Sequence, residues 1–302
     1  MIVLAFLVQT LRIATPYLLA ASGGVLSERA GIIALTLEGW MLTGAFCAAL
    51  GSYYAQSPWV GLLCGVAGGV AAAALHALAS IRYRANQVVV GIAINLLAIG
   101  ATRFFLRLAF DSSSNSPRVP GFDWYAGSAE TSSGPVALLA SLLNPLVILG
   151  LLALPAVGWL LANLPFGLRV RAVGEKPEAA ESLGVGPARV RWAAVLLAGA
   201  LTSLGGVYLA LDQHQFTDNM TAGRGFIALA AVIFGRWDPL RVGLACLLFA
   251  AAETLQIALQ GAQLLPSQFV QMIPYVLTIV ALAGLVGRSV PPAALGRAEP
   301  GT

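Results

Sequence analysis

The sequence predicts an all-α polytopic membrane protein, and three observations predict it. Of 302 residues, 58% are hydrophobic and 10% charged, with a mean hydropathy of +0.83. Soluble domains carry about a quarter charged residues, so this chain has too few polar side chains to cover a water-exposed surface. Apolar runs of the length that crosses a bilayer, about 20 residues, recur along the chain. The basic residues cluster between those runs and fall on one side when the chain is threaded through a membrane, as the positive-inside rule requires. The net charge of +4 and pI near 9.2 are therefore span-end charge, and no nucleic-acid partner is implied.

Taken in order, the runs predict about eight transmembrane helices plus short re-entrant or half helices. Residues 2–21, with Arg12 and Pro16 inside, read as a retained span, because a clear basic start and a small-residue cleavage site are missing. A glycine-rich, charged break follows at 22–29. The second span covers 31–53, the third 59–81 closing on Arg82-Tyr83-Arg84, and the fourth 87–106. Residues 111–134, rich in Ser, Asn, Pro and Gly, read as an outer loop. The fifth span lies at 144–164, a basic connector at 165–191, and the sixth span at 192–211. A polar stretch at 212–224 leads to an apolar piece at 225–234 that is too short to cross. Spans at 240–259 and 269–286 and a flexible polar tail at 288–302 complete the chain.

A cytoplasmic connector at 165–191 places Glu28/Arg29, Arg82/Arg84, Arg236/Arg241 and the tail on the same side, with the N-terminus and the loop at 111–134 outside. Gly31-Ile32-Ile33-Ala34-Leu35 resembles Gly225-Phe226-Ile227-Ala228-Leu229. An inverted repeat leaves such a pair behind, and so does chance over five residues.

Enzyme constellations are absent from the sequence. Cys47, Cys64 and Cys246 sit inside apolar runs and read as small core residues. His76 and His214 have no metal or triad spacing, and His76 reads as a hydrogen-bonding structural residue. No phosphate-cradling glycine loop followed by Lys occurs, so ATP hydrolysis by this chain and a resident cofactor are not expected. The pairs Gly68-Gly69 and Gly205-Gly206 read as close-packing points between helices. Polar residues at membrane depth are costly and face a partner or a cavity. Glu253 and Gln256, three residues apart on one helix face, read as bonded to each other or to backbone. For Glu38 and Asn95 helix-holding and cavity-lining roles both stay open.

The connector holds Arg169, Arg171, Lys176, Arg189 and Arg191. Its middle reads as a short helix: Pro177 suits the first turn, Glu178 and Glu181 the positive end of the dipole, and Gly184 the stop. A short helix on a cytoplasmic loop is an element that a soluble partner can grip.

Four segments carry a resemblance. They are Ser27-Glu28-Arg29-Ala30-Gly31 leading to Leu37-Glu38-Gly39; the run from Arg84-Ala85-Asn86-Gln87 through Asn95-Leu96-Leu97; the run from Gly167-Leu168-Arg169 to Ala180; and Thr221-Ala222-Gly223-Arg224-Gly225-Phe226 through Phe234-Gly235. Together they resemble the permease subunits of bacterial ABC importers for ribose-type sugars, branched-chain amino acids and nucleosides. The likeness is strongest to the shorter permease of nucleoside importers, with simple sugars such as ribose or galactose as the alternative substrate class. Where that family commonly has Asn-Ile-Gly before Glu-Gly, this chain reads Ala34-Leu35-Thr36.

The resemblance implies one permease domain over 1–302 in the inner (plasma) membrane, with three kinds of partner. They are a separate ATP-binding subunit, a second related permease, and a periplasmic or lipid-anchored substrate-binding protein. It assigns ATPase coupling to Gly174, Glu175, Pro177, Glu178, Ala179, Ala180 and Gly184. The small-molecule path is expected near Glu38, Asn86, Gln87, Asn95 and Phe226. A stand-alone secondary transporter, the rival reading, needs ion-coupling acids at mid-membrane and no partner-gripping helix; the chain has no file of acids along one helix.

Overall fold

A computed structural model of the chain describes residues 2–122, 139–262, 272 and 290–297. Apart from Met272, the span expected at 269–286 lies outside the described residues. So do the outer loop beyond residue 122 and the tail at 288–289 and 298–302.

The regular elements of the described chain are all helices. The helices are α1 (Ile2–Arg29), α2 (Leu37–Ala55), α3 (Pro58–Ala77), α4 (Gln87–Phe110), α5 (Pro145–Asn163), α6 (Pro165–Glu175), α7 (Pro177–Ser182), α8 (Pro187–Asp212), α9 (Arg224–Phe234) and α10 (Pro239–Ala262). One wide π turn, Leu78–Arg82, extends α3. At 28 and 26 residues, α1 and α8 measure about 42 and 39 Å at the helical rise.

Among the described residues six helices, α1, α3, α4, α5, α8 and α10, are long and apolar enough to cross a membrane. The sequence led to about eight, and the difference has two sources. The last expected span is outside the described residues. The second, expected at 31–53, forms a helix only from Leu37 and carries Glu38, Thr43, Ser52 and a Tyr pair that lower its hydropathy. That helix tolerates polar residues because it is enclosed. Glu38, Trp40, Met41, Leu42, Gly44, Ala45, Ala48 and Ala49 are all buried against neighbouring helices, and protein, not lipid, satisfies them.

The helix trio α1, α2 and α8 forms the centre of the bundle. In the apolar window of α8, 72% of residues are buried, against 28% in α3 and in α4. The outward faces of those two helices, with Leu63, Leu75, Ile92, Leu96, Phe104 and Leu108 exposed, are apolar as a lipid or partner-helix face must be. Small residues let the trio approach closely, the usual seam in a membrane where no hydrophobic force drives helices together. A Cβ on Gly206 would lie 1.8 Å from the Met41 carbonyl oxygen.

The break expected at 22–29 does not occur. Helix α1 runs through Ser22-Gly23-Gly24 to Arg29, because those glycines make room rather than a turn. A Cβ on Gly23 would lie 2.4 Å from Thr202 Oγ1 and 2.5 Å from the Ala198 carbonyl. The chain opens instead at 30–36, starting with Gly31 at φ +91°. The two copies of the short motif therefore differ in conformation: residues 31–35 are non-helical, whereas 225–229 lie within α9.

His76 is fully buried with its ring edge-on to Trp40, centroids 5.8 Å apart. Neither ring nitrogen has a hydrogen-bond partner among the described residues, so it packs as an aromatic where a hydrogen-bonding role was expected. Residues 290–297, in the stretch read as a flexible tail, lie against the bundle. The Ala294 amide donates to the Gly174 carbonyl at 2.9 Å, and the Gly296 amide to that of Gly31 at 3.1 Å.

Candidate functional site

The opened segment at 30–36 is where polar side chains from distant parts of the chain converge. Most of this non-helical backbone is buried and must find its hydrogen bonds in the protein, and here named side chains supply them. Ser27 Oγ donates to the Ile32 carbonyl at 2.9 Å, and the Ala34 amide donates to Glu28 Oε1 at 3.2 Å. The Ile33 amide donates to Gln87 Oε1 at 2.8 Å. Asn95 works in both directions: its Nδ2 donates to the Leu35 carbonyl at 2.9 Å and its Oδ1 accepts from the Gly39 amide at 2.9 Å. Gly39 has no side chain because Asn95 stands there; a Cβ would lie 2.8 Å from Oδ1. Asn86, exposed, caps α4 by accepting from the Val88 and Val89 amides at 3.0 and 3.3 Å.

Glu38, on the first turn of α2, reaches the N-terminus of the half helix α9. Its Oε1 accepts from Thr221 Oγ1 at 2.6 Å and the Gly223 amide at 2.9 Å, and its Oε2 from the Gly225 amide at 2.7 Å. A carboxylate suits this place because the free amides and the dipole present positive charge. Gly225 lets the two backbones meet, since a Cβ would lie 2.5 Å from the Glu38 amide nitrogen. Phe226 follows on α9 and is half-exposed. Glu38, Gln87 and Asn95 are thus brought together around residues 30–39, with Phe226 one residue beyond the Glu38 contact. Asn86 stands apart at the end of α4.

The other end of α9 is held just as firmly. The Trp237 indole N–H donates to Glu28 Oε2 at 2.5 Å, and the Arg29 guanidinium donates twice to the Trp237 carbonyl, at 3.1 and 3.0 Å. The end of α1 is in turn in contact with the basic connector. The backbone of α6 lies directly on it, and a Cβ on Gly174 would stand 1.9 Å from the Arg29 carbonyl oxygen. Glu175 closes α6, and Pro177, Glu178, Ala179, Ala180, Glu181 and Ser182 form α7. In α7 only Ala180 is buried, while Glu178, Ala179, Glu181 and Ser182 face outward. Gly184 ends the turn at φ +81°, its amide bonded to the Glu181 carbonyl at 2.8 Å.

A second polar cluster escaped the sequence reading. Arg12 of α1 pairs with Asp212 at the end of α8 at 3.0 Å. Arg224, the first residue of α9, pairs with Glu253 of α10 at 2.9 Å, and the Tyr17 hydroxyl donates to the same carboxylate. Glu253 is therefore held by two other helices rather than by Gln256. The signal was present as an Arg inside the first apolar run, but its partner lies two hundred residues away. Arg12, Asp212, Arg224 and Glu253 line a cavity of about 220 Å³ together with Gln9, Tyr208 and Gln213. Among the described residues no cluster of His, Cys, Asp and Glu could hold a metal ion.

Over residues 6–282 the chain matches the family described as the branched-chain amino acid transport system permease component. It is 38% identical to the guanosine ABC transporter permease protein NupQ of Bacillus subtilis, over 95% of this chain and 93% of that one. It is 34% identical to the nucleoside ABC transporter permease protein NupC of Lactococcus lactis subsp. cremoris, over 93% and 92% of the two chains. To the putative glucose ABC transporter permease protein TsgC13 of Haloferax volcanii it is 34% identical, over 84% and 78%. No solved structure matches the chain.

Proposed function

Because the chain belongs to the branched-chain amino acid transport system permease family, we propose that it is the membrane-spanning subunit of an ATP-driven importer of nucleosides. The observation that carries the substrate class is near-full-length similarity to relatives named for guanosine and nucleoside transport. This chain hydrolyses nothing itself. A separate ATP-binding subunit supplies the energy, a second related permease completes the pore, and a substrate-binding protein delivers the solute from outside. About eight crossings, counting the enclosed α2 and the span at 269–286, form one permease domain with an outer loop at 111–134 and a coupling loop at 165–191.

The contacts support a route for the stroke. Helix α7, which exposes Glu178, Ala179, Glu181 and Ser182, seats in the ATPase. Displacement of α7 moves α6, and α6 bears on the end of α1 through Gly174. Arg29 and Glu28 grip Trp237, so α9 moves with them. Its far end is joined to α2 by Glu38 and to α10 by Arg224. A push at the cytoplasmic surface therefore reaches the unwound backbone inside the membrane, where Glu38, Asn95, Gln87 and Phe226 border the path.

The test is guanosine-stimulated ATP hydrolysis and guanosine uptake by the reconstituted importer, with glucose as the competing candidate. Stimulation by guanosine is expected, together with its loss in Glu178→Lys at normal membrane abundance. Uptake of glucose in place of guanosine would replace the substrate class, and full stimulation in Glu178→Lys would remove α7 from the coupling route.

A further inference from the structure

The cavity between α1, α8, α9 and α10 has a charge pattern that selects its ligand. Four ionisable side chains, from α1, α8, α9 and α10, meet there. Their exposures run from 19 to 31%, so the cavity is open rather than sealed. Each cation has its own anion: Arg12 with Asp212, and Arg224 with Glu253. A further positive feature, the N-terminus of α9, is a ready site for an anion, and Glu38 already occupies it. No uncompensated charge remains among the described groups to draw in a charged solute.

Hydrogen-bonding capacity does remain. Both oxygens of Asp212 meet the same Arg12 nitrogen, at 3.0 and 3.1 Å, which leaves each with a free lone pair. The side-chain amides of Gln9 and Gln213 add donors and acceptors. A carboxylate with two oxygens open suits a pair of adjacent hydroxyls, and a site built on hydrogen bonds discriminates strongly against solutes that cannot complete them.

We propose that this cavity binds a neutral, hydroxyl-rich solute, with Asp212 as the acceptor for its hydroxyl groups. The proposal rests on the importer reading above and names the groups that hold the solute.

The experiment measures uptake of tritiated guanosine by the complete importer in vesicles, normalised to permease in the membrane. Two variants are compared with the natural chain. Asp212→Asn leaves Arg12 uncompensated, and Ile257→Trp crowds the cavity rim without removing a polar contact. Asp212→Asn is expected to raise KM at least about tenfold and to make uptake sensitive to inhibition by guanosine monophosphate. Ile257→Trp is expected to cut uptake by a similar factor with no such sensitivity. The proposal is overturned if both variants keep KM within about twofold of the natural chain. If the natural chain carries glucose and not guanosine, the nucleoside reading fails alone, and the same variants are scored with glucose. Uptake of a charged amino acid by the natural chain overturns the cavity proposal.

Discussion

Glu38 illustrates how a single carboxylate can order a membrane interior. It accepts from one hydroxyl and two backbone amides, and the bonds from Thr221 and Gly225 are fully buried. Glu38→Gln replaces one accepting oxygen with a donor that faces other donors, and a buried group left unsatisfied costs about 1–3 kcal/mol. The variant is expected to melt several degrees below the natural chain in detergent; an unchanged melting temperature would falsify the cap. Asn95→Leu strands the Gly39 amide and the Leu35 carbonyl together and should destabilise by at least as much in the same assay. The sequence made Glu38, Gln87 and Asn95 conspicuous because polar side chains stand out in apolar runs. Their partners were not legible. Thr221, Gly223 and Gly225 lie more than 180 positions from Glu38, and no local pattern connects them.

At the scale of the element, lipid-facing helices were the legible ones. Helices α3, α4 and α5 announce themselves because a face against hydrocarbon must be apolar along its whole length. The enclosed pieces were harder. The end of α1 was misread as a break because Gly23 and Gly24 look the same in a turn and in a close helix crossing. The start of α2 was placed six residues early because an unwound strand with hydrophobic side chains is as apolar as a helix. Glycine at seams and glycine on the open face should therefore behave oppositely. Gly206→Ala forces α8 away from the Met41 carbonyl and is expected to abolish assembly, read as aggregation on gel filtration. Gly100→Ala, with nothing within 4 Å of the new methyl, is expected to leave the melting temperature unchanged or raise it, since alanine favours a helix by up to about 1 kcal/mol.

For the whole molecule, the basic clusters predict one orientation, and labelling checks it. In a chain with Cys47, Cys64 and Cys246 replaced by Ala, a single Cys at Ser113 is expected to react with an impermeant maleimide in intact cells. A single Cys at Ser182 should react only after the membrane is opened. The reverse pattern would invert the topology and separate α7 from any cytoplasmic ATPase.

The lengths of α1 and α8 have a further consequence. At about 42 and 39 Å they exceed the hydrocarbon thickness of about 30 Å, and a helix longer than its bilayer tilts or thickens it. The glycine seams join these two helices to α2, so the trio answers to bilayer thickness as a unit. Vesicles of short-chain phosphatidylcholine should force a steeper lean on all three and slow uptake, while longer acyl chains relieve it. The surrounding lipid then becomes a mechanical setting of the transporter, adjustable without touching a single residue.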